Sequence, residues 1–354
     1  MSRNLLVLGF GVALFSLVLT ALPAQAGTGP VTVSLTSGTT QAQQVANFWL
    51  GDSRKNLLQA TPYGVQTVIS GRRQTTAAKP LAAEPTAVEP VGRARKAAGL
   101  SENVNLPTTT GKVFFVGADG RPHWCSGTSM NSAQRNLVLT AAHCVYDTAG
   151  SATTLANWAF VPGYTDDALP WGLYVGKSAV AHHAFDTYTD HDYDYAFAVV
   201  YNGVSQPPTG GLADTGRLGD NVGGQGIAWN QQPNRTVNIF GYPAGSHPDN
   251  TAPYTGKTLE NSQGLTFPFQ PIDFSANNLV GATSPFTDKG SLGSPWVSSY
   301  RPDRGLGYVI GVTMSVSDID LDNRYDTAVS STFDGDVSPV YSSATQLWSG
   351  SIAG

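Results

Sequence analysis

Charged residues are scarce in this chain of 354 residues, and cysteine and methionine are scarcer still. Asp, Glu, Lys and Arg together make up 13% of the residues, beside two cysteines and three methionines. So few charges exclude a coiled coil or a long-helix protein, which would be rich in Ala, Glu, Lys and Leu. A hydrophobic fraction of 41% also excludes a disordered acidic chain.

Glycine and proline, by contrast, are abundant, with 39 and 22 residues. Short runs rich in Val, Phe and Tyr stand between turn residues, a pattern typical of strands. These runs are Val113–Val116, Leu137–Thr140, Ala196–Tyr201, Thr236–Phe240 and Tyr308–Val312. From about Ser338 to Trp348, apolar residues follow a helical spacing. The sequence therefore predicts an all-β domain, a barrel or a sandwich, that ends in one short helix.

The N-terminus predicts export. One early positive charge at Arg3 precedes an apolar run from Leu5 to Leu22, and the run ends in the small residues Ala24 and Ala26. These are the parts of a secretory signal peptide, which we assign to residues 1–26. The alternative is a membrane anchor, since the run has about the length of a spanning helix. The absence of a positive cluster after it favours cleavage, and hence a secreted, extracellular protein without a membrane anchor.

Residues 27–110 differ from the rest in composition and charge. They contain one short amphipathic stretch, from Gln43 to Leu58, and a stretch from Gly71 to Gly99 that lacks aromatics. Residues 1–110 carry nine Lys and Arg against four Asp and Glu, whereas residues 111–354 carry eleven against twenty-one. We interpret 27–110 as a propeptide or a flexible linker that stays attached. The acidic domain 111–354 is not expected to bind nucleic acid.

The two cysteines, Cys125 and Cys144, predict a disulfide, since an even count is usual in exported proteins. A zinc site is the rival interpretation, but no clear pair of histidines accompanies the two thiols. Directly before Cys144 stands Thr140-Ala141-Ala142-His143, at the end of an apolar strand. A histidine held there beside a disulfide would be rigidly placed for proton transfer.

The motif Thr-Ala-Ala-His-Cys, with Cys125-Ser126-Gly127-Thr128 before it, resembles the histidine motif of chymotrypsin-like serine proteases. The resemblance covers roughly residues 111–350. It implies two antiparallel Greek-key six-stranded β-barrels, about 111–215 and 216–354, with a short C-terminal helix. It also implies an aspartate that orients the histidine. Asp194, which opens the apolar run after it, matches this position better than Asp190 or Asp192.

The nucleophile motif of the family is similar to Gly290-Ser291-Leu292-Gly293-Ser294-Pro295-Trp296, except at one position. Leu292 stands where the attacking serine belongs. The resemblance implies an oxyanion hole formed by the backbone N–H groups of Gly290 and Leu292, which needs no side chain. Loss of the serine in an unrelated serine protease costs on the order of 10⁶ in turnover. The sequence therefore predicts a protease homologue that is catalytically inactive and retains a peptide-binding cleft.

Two active alternatives stay open at this point. A substitute serine, Ser291 or Ser294, could attack the substrate, although neighbouring Cα atoms lie about 3.8 Å apart and attack requires about 3–3.5 Å. Leu292 could also mark an altered copy of an active enzyme with serine at this position. Either alternative predicts a secreted serine endopeptidase that hydrolyses peptide bonds through His143 and Asp194.

The resemblance implies a substrate pocket lined by Phe286, Thr287 and Thr313, apolar or small in character. Thr313 stands where the glutamyl-endopeptidase-like bacterial branch has its specificity histidine. We expect no metal and no cofactor, and a monomer whose partner is a peptide, a protein or its own propeptide. The acidic run from Asp318 to Asp326 lacks the glycine and the closing glutamate of an EF-hand loop. Calcium there stays an open alternative to a solvated loop.

Overall fold

The computed structural model describes residues 29–65, 67–74, 84–94, 106–150 and 153–353. The predicted signal peptide, residues 1–26, lies outside the described residues. Within them, no helix is long and apolar enough to cross a membrane.

The described residues form twenty strands. In chain order they are β1 Pro30–Ser34, β2 Thr61–Pro62, β3 Gly71–Arg73, β4 Thr86–Val88, β5 Thr110–Val116, β6 Pro122–Met130, β7 Leu137–Thr140, β8 Ala156–Pro162, β9 Tyr174–His182, β10 Ala196–Val200, β11 Gly203–Ser205, β12 Ala213–Gly216, β13 Gly226–Trp229, β14 Thr236–Gly241, β15 Glu260–Pro271, β16 Leu279–Thr283, β17 Pro295–Arg301, β18 Leu306–Val312, β19 Ser315–Ser317 and β20 Thr327–Ser331. The helices are α1 Thr39–Leu58, α2 His183–Tyr188, α3 Leu218–Val222 and α4 Val337–Thr345. The five runs predicted as strands correspond to β5, β7, β10, β14 and β18, and the predicted C-terminal helix is α4.

The first sheet closes into a six-stranded antiparallel barrel. Its strands follow one another in the order β9, β10, β7, β6, β5 and β8, and β8 pairs back with β9. The strands β7 and β10 are buried along their whole length, which explains their continuous apolar sequences. The barrel wall therefore places the ends of β7 and β10, and the residues that adjoin them, side by side.

The second sheet has ten strands. Its path is β19-β20-β16-β15-β14-β17-β18-β13-β4, and β3 pairs with β15. Trp296, Ile239 and Phe286 lie in one of its apolar clusters. The helix α4 buries Val340 and Ala344 in the cluster that both sheets share. The molecule is thus an all-β protein with a short C-terminal helix, as the sequence predicts.

The N-terminal third contributes to both sheets, which differs from the expectation of a flexible linker. The strand β1 pairs with β9, and β3 and β4 add to the second sheet. The helix α1 extends the predicted amphipathic stretch to Thr39–Leu58, with non-helical residues from Gly51 to Arg54. Trp49, fully buried, donates from Nε1 to Asn157 O at 2.6 Å. Main-chain hydrogen bonds between strands need no apolar side chains. The composition of this region therefore does not predict that β3 and β4 pair with the second sheet. Whether residues 27–110 are a propeptide stays a prediction.

Candidate active site

His143 lies in a 3₁₀ turn, Ala142–Cys144, directly after β7. Its backbone N–H donates to Asp194 Oδ1 at 3.0 Å, and its Nδ1 lies 2.6 Å from Asp194 Oδ2. Both side chains are 1% exposed. Two contacts from one carboxylate fix the imidazole, and they leave Nε2 facing away from Asp194. The structure thus brings together the histidine and the aspartate that the sequence singles out.

Asp194 is itself held in place from the other sheet. Its backbone N–H donates to Ser331 Oγ at 3.0 Å, and this hydroxyl donates to His191 O at 2.9 Å. Burial raises the pKa of Asp194, but the charge and hydrogen bonds of His143, with a contribution from His191, outweigh burial. The pKa is therefore held well below its ordinary value, and the carboxyl is an anion at neutral pH.

The predicted disulfide between Cys125 and Cys144 is confirmed. It joins β6 to the turn that carries His143, with the two Cα atoms 6.3 Å apart. The indole of Trp158 donates to Cys144 O at 3.0 Å. The residue after His143 is therefore fixed by a covalent bond and a hydrogen bond, which limits movement of the imidazole.

The turn from Gly290 to Gly293 is fixed by main-chain contacts to both sheets. Ser126 N–H donates to Leu292 O at 2.8 Å, and Gly293 N–H donates to Thr313 O at 2.7 Å. The hydroxyl of Ser126 donates to Gly290 O at 2.8 Å. Gly290 and Gly293 have φ angles of 77° and 79°, which favour glycine. None of these hydrogen bonds uses the side chain at position 292.

Leu292 is fully buried. It packs in the apolar cluster of the first barrel, together with Ala142 and Cys144, the two neighbours of His143. The Nε2 atom of His143 is also buried, and it has no hydrogen-bond partner among the described residues. An alkyl side chain cannot supply the hydroxyl that this nitrogen lacks.

The two serines near Leu292 differ in their contacts: Ser291 is hydrogen-bonded to the main chain, whereas the Ser294 hydroxyl has no hydrogen-bond partner among the described residues. Ser291 Oγ lies 2.7 Å from Thr287 O and 2.9 Å from Asp288 O, within donating distance of both carbonyls. Ser294 is fully buried, and its side chain packs against Gly241. The Ser291 hydroxyl therefore donates its hydrogen bond to the main chain and not to the imidazole of His143.

The three residues predicted to line a substrate pocket are all buried. Phe286 packs edge-on against Tyr254, with the ring centroids 5.5 Å apart. Thr287 Oγ1 accepts from Gly245 N–H at 3.1 Å, and Thr313 Oγ1 accepts from Trp296 Nε1 at 2.9 Å. Their polar atoms are thus satisfied by the chain itself, and their role in specificity stays a prediction.

Carboxylate oxygens of Asp318, Asp320 and Asp326 lie within 4.8 Å of one another. Asp326 accepts backbone N–H groups from Ile319 and Asp320, each at 3.3 Å. These contacts give the carboxylates a role in shaping their own loop.

One part of the site lies outside the predicted residues. Residues 61–65 and 67–70, which follow the amphipathic stretch and lie within the range predicted as a propeptide or linker, run across the site. The Tyr63 ring stacks near that of His143, with centroids 6.5 Å apart and an angle of 22°. The β-branched residues Val65, Thr67, Val68 and Ile69 were the only signal in this segment for an extended strand.

Solved proteases share this arrangement of strands. The protease Anisep from Arthrobacter nicotinovorans is 25% identical, with a TM-score of 0.53 over 69% of this chain and 98% of that chain. The thermostable serine protease AL20 from an extremophilic microorganism is 23% identical, with a TM-score of 0.54 over 68% of this chain and 97% of that chain. No protein-family model and no curated protein sequence matches the chain.

The chain has the chymotrypsin-like serine protease fold. The neighbours support membership of that family and a protease-like function. The disulfide is a feature that is usual in extracellular proteins.

Proposed function

We propose that this chymotrypsin-like chain is a secreted protease homologue that binds extended peptides and does not hydrolyse them. The observation that carries the proposal is the fully buried Leu292 in the cluster beside His143. In the proteases that the motif resembles, this position is occupied by the serine that attacks the peptide carbonyl. A leucine has no nucleophilic atom, so the acyl-enzyme step has no starting point.

The His143–Asp194 pair supports a site that is otherwise assembled for acyl transfer. A carboxylate at 2.6 Å from Nδ1 favours the tautomer with the proton on Nδ1. Nε2 then carries the lone pair that would accept a proton from a serine at 292. The lowered pKa of Asp194 keeps the carboxylate charged, as stabilisation of an imidazolium requires.

The turn from Gly290 to Leu292 supports a retained oxyanion hole. Its backbone is held by Ser126, through hydrogen bonds to the carbonyls of Gly290 and Leu292. The resemblance assigns the N–H groups of Gly290 and Leu292 to the binding of a developing oxyanion. Such donors contribute roughly 10²–10³ in rate each where chemistry occurs. They do not replace a nucleophile.

Secretion belongs to the same proposal. We assign residues 1–26 as a cleaved signal peptide and the mature chain as a monomer. N-terminal sequencing and light scattering of the exported protein test both assignments. A mature protein that still begins at Met1, or one that elutes as a dimer, would contradict them.

Fluorophosphonate labelling tests the chemistry. The native chain is incubated to completion with the reagent beside Leu292→Ser and the control Leu292→Ser/His143→Ala. We expect label only on Leu292→Ser, at residue 292. Label on the native chain would show that another serine attacks. Absence of label from Leu292→Ser would contradict the assigned roles of His143 and Asp194.

A further inference from the structure

Residues 61–65 and 67–70, together called the cleft segment, lie against the first sheet at one end and against the second at the other. At its start, β2 pairs in parallel with β6, where Thr61 lies opposite His123. The next residue beyond β2, Tyr63, donates its N–H to Trp124 O at 2.9 Å. The cleft segment thus begins as an extra strand on the barrel that carries His143.

Its other end is an extra strand on the second sheet. Val316 N–H donates to Thr67 O at 2.8 Å, and Ile69 N–H donates to Val316 O at 3.1 Å. Both hydrogen bonds use the main chain of β19, at the edge of its sheet. Edge strands with unpaired main-chain groups accept a further extended chain, which is how many peptide-binding proteins capture ligands.

Three side chains of the cleft segment point inward and are nearly fully buried. Tyr63 packs edge-on against Phe115, with ring centroids 4.9 Å apart. Thr67 Oγ1 donates to Asp288 Oδ2 at 3.1 Å. Ile69, 3% exposed, joins the apolar cluster that includes Met314.

The residue between the last two points outward. Val68 is 48% exposed, and its flanking residues supply the main-chain contacts to Val316. This in-out alternation is that of a bound strand. It indicates that the inward positions at Thr67 and Ile69 act as two adjacent side-chain subsites.

The cleft segment also covers the candidate active site. The Tyr63 ring lies 6.5 Å from that of His143, and Val65 packs against the cluster that contains Leu292. Gly64 lies beside the side chain of Lys289, the residue before Gly290. With the cleft segment in this position, His143 is 1% exposed.

We propose that the cleft segment is an intramolecular ligand of the peptide-binding cleft, and that an external peptide enters only when this segment leaves. This inference rests on the proposed peptide-binding function. The external ligand is an extended peptide that pairs with Trp124 and Val316 through its main chain. It carries an aromatic side chain at the position of Tyr63 and a β-branched apolar side chain at that of Ile69.

Accessibility of His143 tests the occupancy in the native Leu292 background. Diethyl pyrocarbonate modifies imidazoles, and mass spectrometry of peptides gives the rate for His143 relative to His183, a partly exposed internal reference. Ile69→Ala removes an anchor and Thr67→Val removes one hydrogen bond with little change of shape. We expect both to raise the relative rate, Ile69→Ala by about tenfold or more.

Val68→Ala is the matched control, because the Val68 side chain is half exposed between the two anchors. We expect it to leave the relative rate unchanged. The proposal is overturned if the native chain already reacts at His143 as fast as at His183. It is equally overturned if neither anchor variant raises the rate. Thr67→Val keeps the test decisive should Ile69→Ala fail to fold.

A synthetic peptide of residues 61–70 tests the ligand class. Added to the Thr67→Val chain, it should return the relative rate at His143 to the native value, whereas a scrambled peptide should not. A peptide without effect would overturn the assignment of the cleft segment as a ligand. None of these measurements depends on hydrolysis. If the native chain proved active, the proposed function would be wrong, but the modification rates of His143 would still test the inference about the cleft segment.

Discussion

The two halves of the candidate site differ in what they retain. The first barrel supplies a complete charged pair, with His143 and Asp194 buried and joined by two hydrogen bonds. The second sheet supplies the turn at Gly290, whose backbone is held as firmly, but whose side chain at Leu292 is apolar. The comparison teaches that backbone geometry and chemistry are encoded separately. Glycines and main-chain hydrogen bonds preserve the turn, while the proposed loss of activity rests on one side chain, Leu292.

The largest effect should come from breaking the turn of the second half. Gly290→Ala would place a side chain on a residue with a φ of 77°, a conformation that favours glycine. The added Cβ would also overlap the Trp124 ring. We expect a loss of about 3 kcal/mol or more in the free energy of unfolding, measured in urea. Gly120→Ala is the control, because its φ is 73° and nothing lies within 4 Å of an added Cβ. It should cost about 1 kcal/mol. Equal losses would show that packing on Trp124 does not hold the turn.

In the first half of the site, Asp194→Asn removes the charged partner of His143. We expect it to lower the free energy of unfolding by about 3 kcal/mol at pH 7. The pKa of Asp194 is lowered in the folded chain, so its contribution is present above the pKa of the unfolded state, about 3.9. It is lost as the pH falls from there toward the folded pKa. Urea unfolding of both chains from pH 7 to pH 2 should therefore show a difference that shrinks with acid.

Asp190→Asn is the control for that series. Its carboxylate is partly buried and accepts the Asp192 N–H at 3.0 Å. We expect a loss below about 1 kcal/mol. A pH-independent difference for Asp194→Asn would contradict the charged state assigned to that carboxyl.

A smaller effect, of opposite sign, should come from the packing between the halves. Lys112 is 4% exposed, with Nζ 3.7 Å from the centroid of Trp124, the ring that lies under Gly290. Burial lowers its pKa to about 7, although the ring faces a cation favourably. The native chain should therefore gain stability as the pH rises from about 7 toward 10, where the folded lysine is neutral and the unfolded one is still charged.

Lys112→Met removes this charge and should stabilise the chain by about 2 kcal/mol at pH 6, with a gain that shrinks above pH 7. Thermal unfolding across this pH range measures it. Lys177→Met, at a partly exposed lysine that donates to Trp348 O, should show no such trend. Destabilisation by Lys112→Met at pH 6 would mean that the aromatic rings favour the cation more than burial disfavours it.

The turn that carries His143 has local signals in the sequence: it follows a strand whose continuous apolar sequence marks it as buried, and the cysteine pair marks the same turn. Asp194 comes from the resemblance, which places an aspartate at the start of an apolar run, here β10. The helix α4 follows from its own spacing. The oxyanion, pocket and nucleophile roles come from the resemblance and stay predictions, although the positions of their residues are now described.

The N-terminal third could not be predicted in the same way. Arg72 in β3 lies opposite Gln270 in β15, and such remote main-chain pairing leaves no periodic pattern near Arg72. The burial of Ile69 and Thr67 could not be predicted either, because it depends on contacts with residues that are remote in the sequence. Ile69 packs in the cluster that includes Met314, and Thr67 donates a hydrogen bond to Asp288. Lys112, in turn, is a charge in a buried strand, which a hydropathy pattern assigns to a surface.

Initial rates of peptide hydrolysis test the central claim, that one side chain silences an otherwise assembled site. Four chains are compared: the native chain, Leu292→Ser, Leu292→Ser/Thr67→Val and the latter with His143→Ala. We predict no hydrolysis by the native chain, slow hydrolysis by Leu292→Ser, faster hydrolysis once Thr67→Val loosens the cleft segment, and none without His143. Hydrolysis by the native chain, or silence of both His143-containing serine variants, would contradict the account.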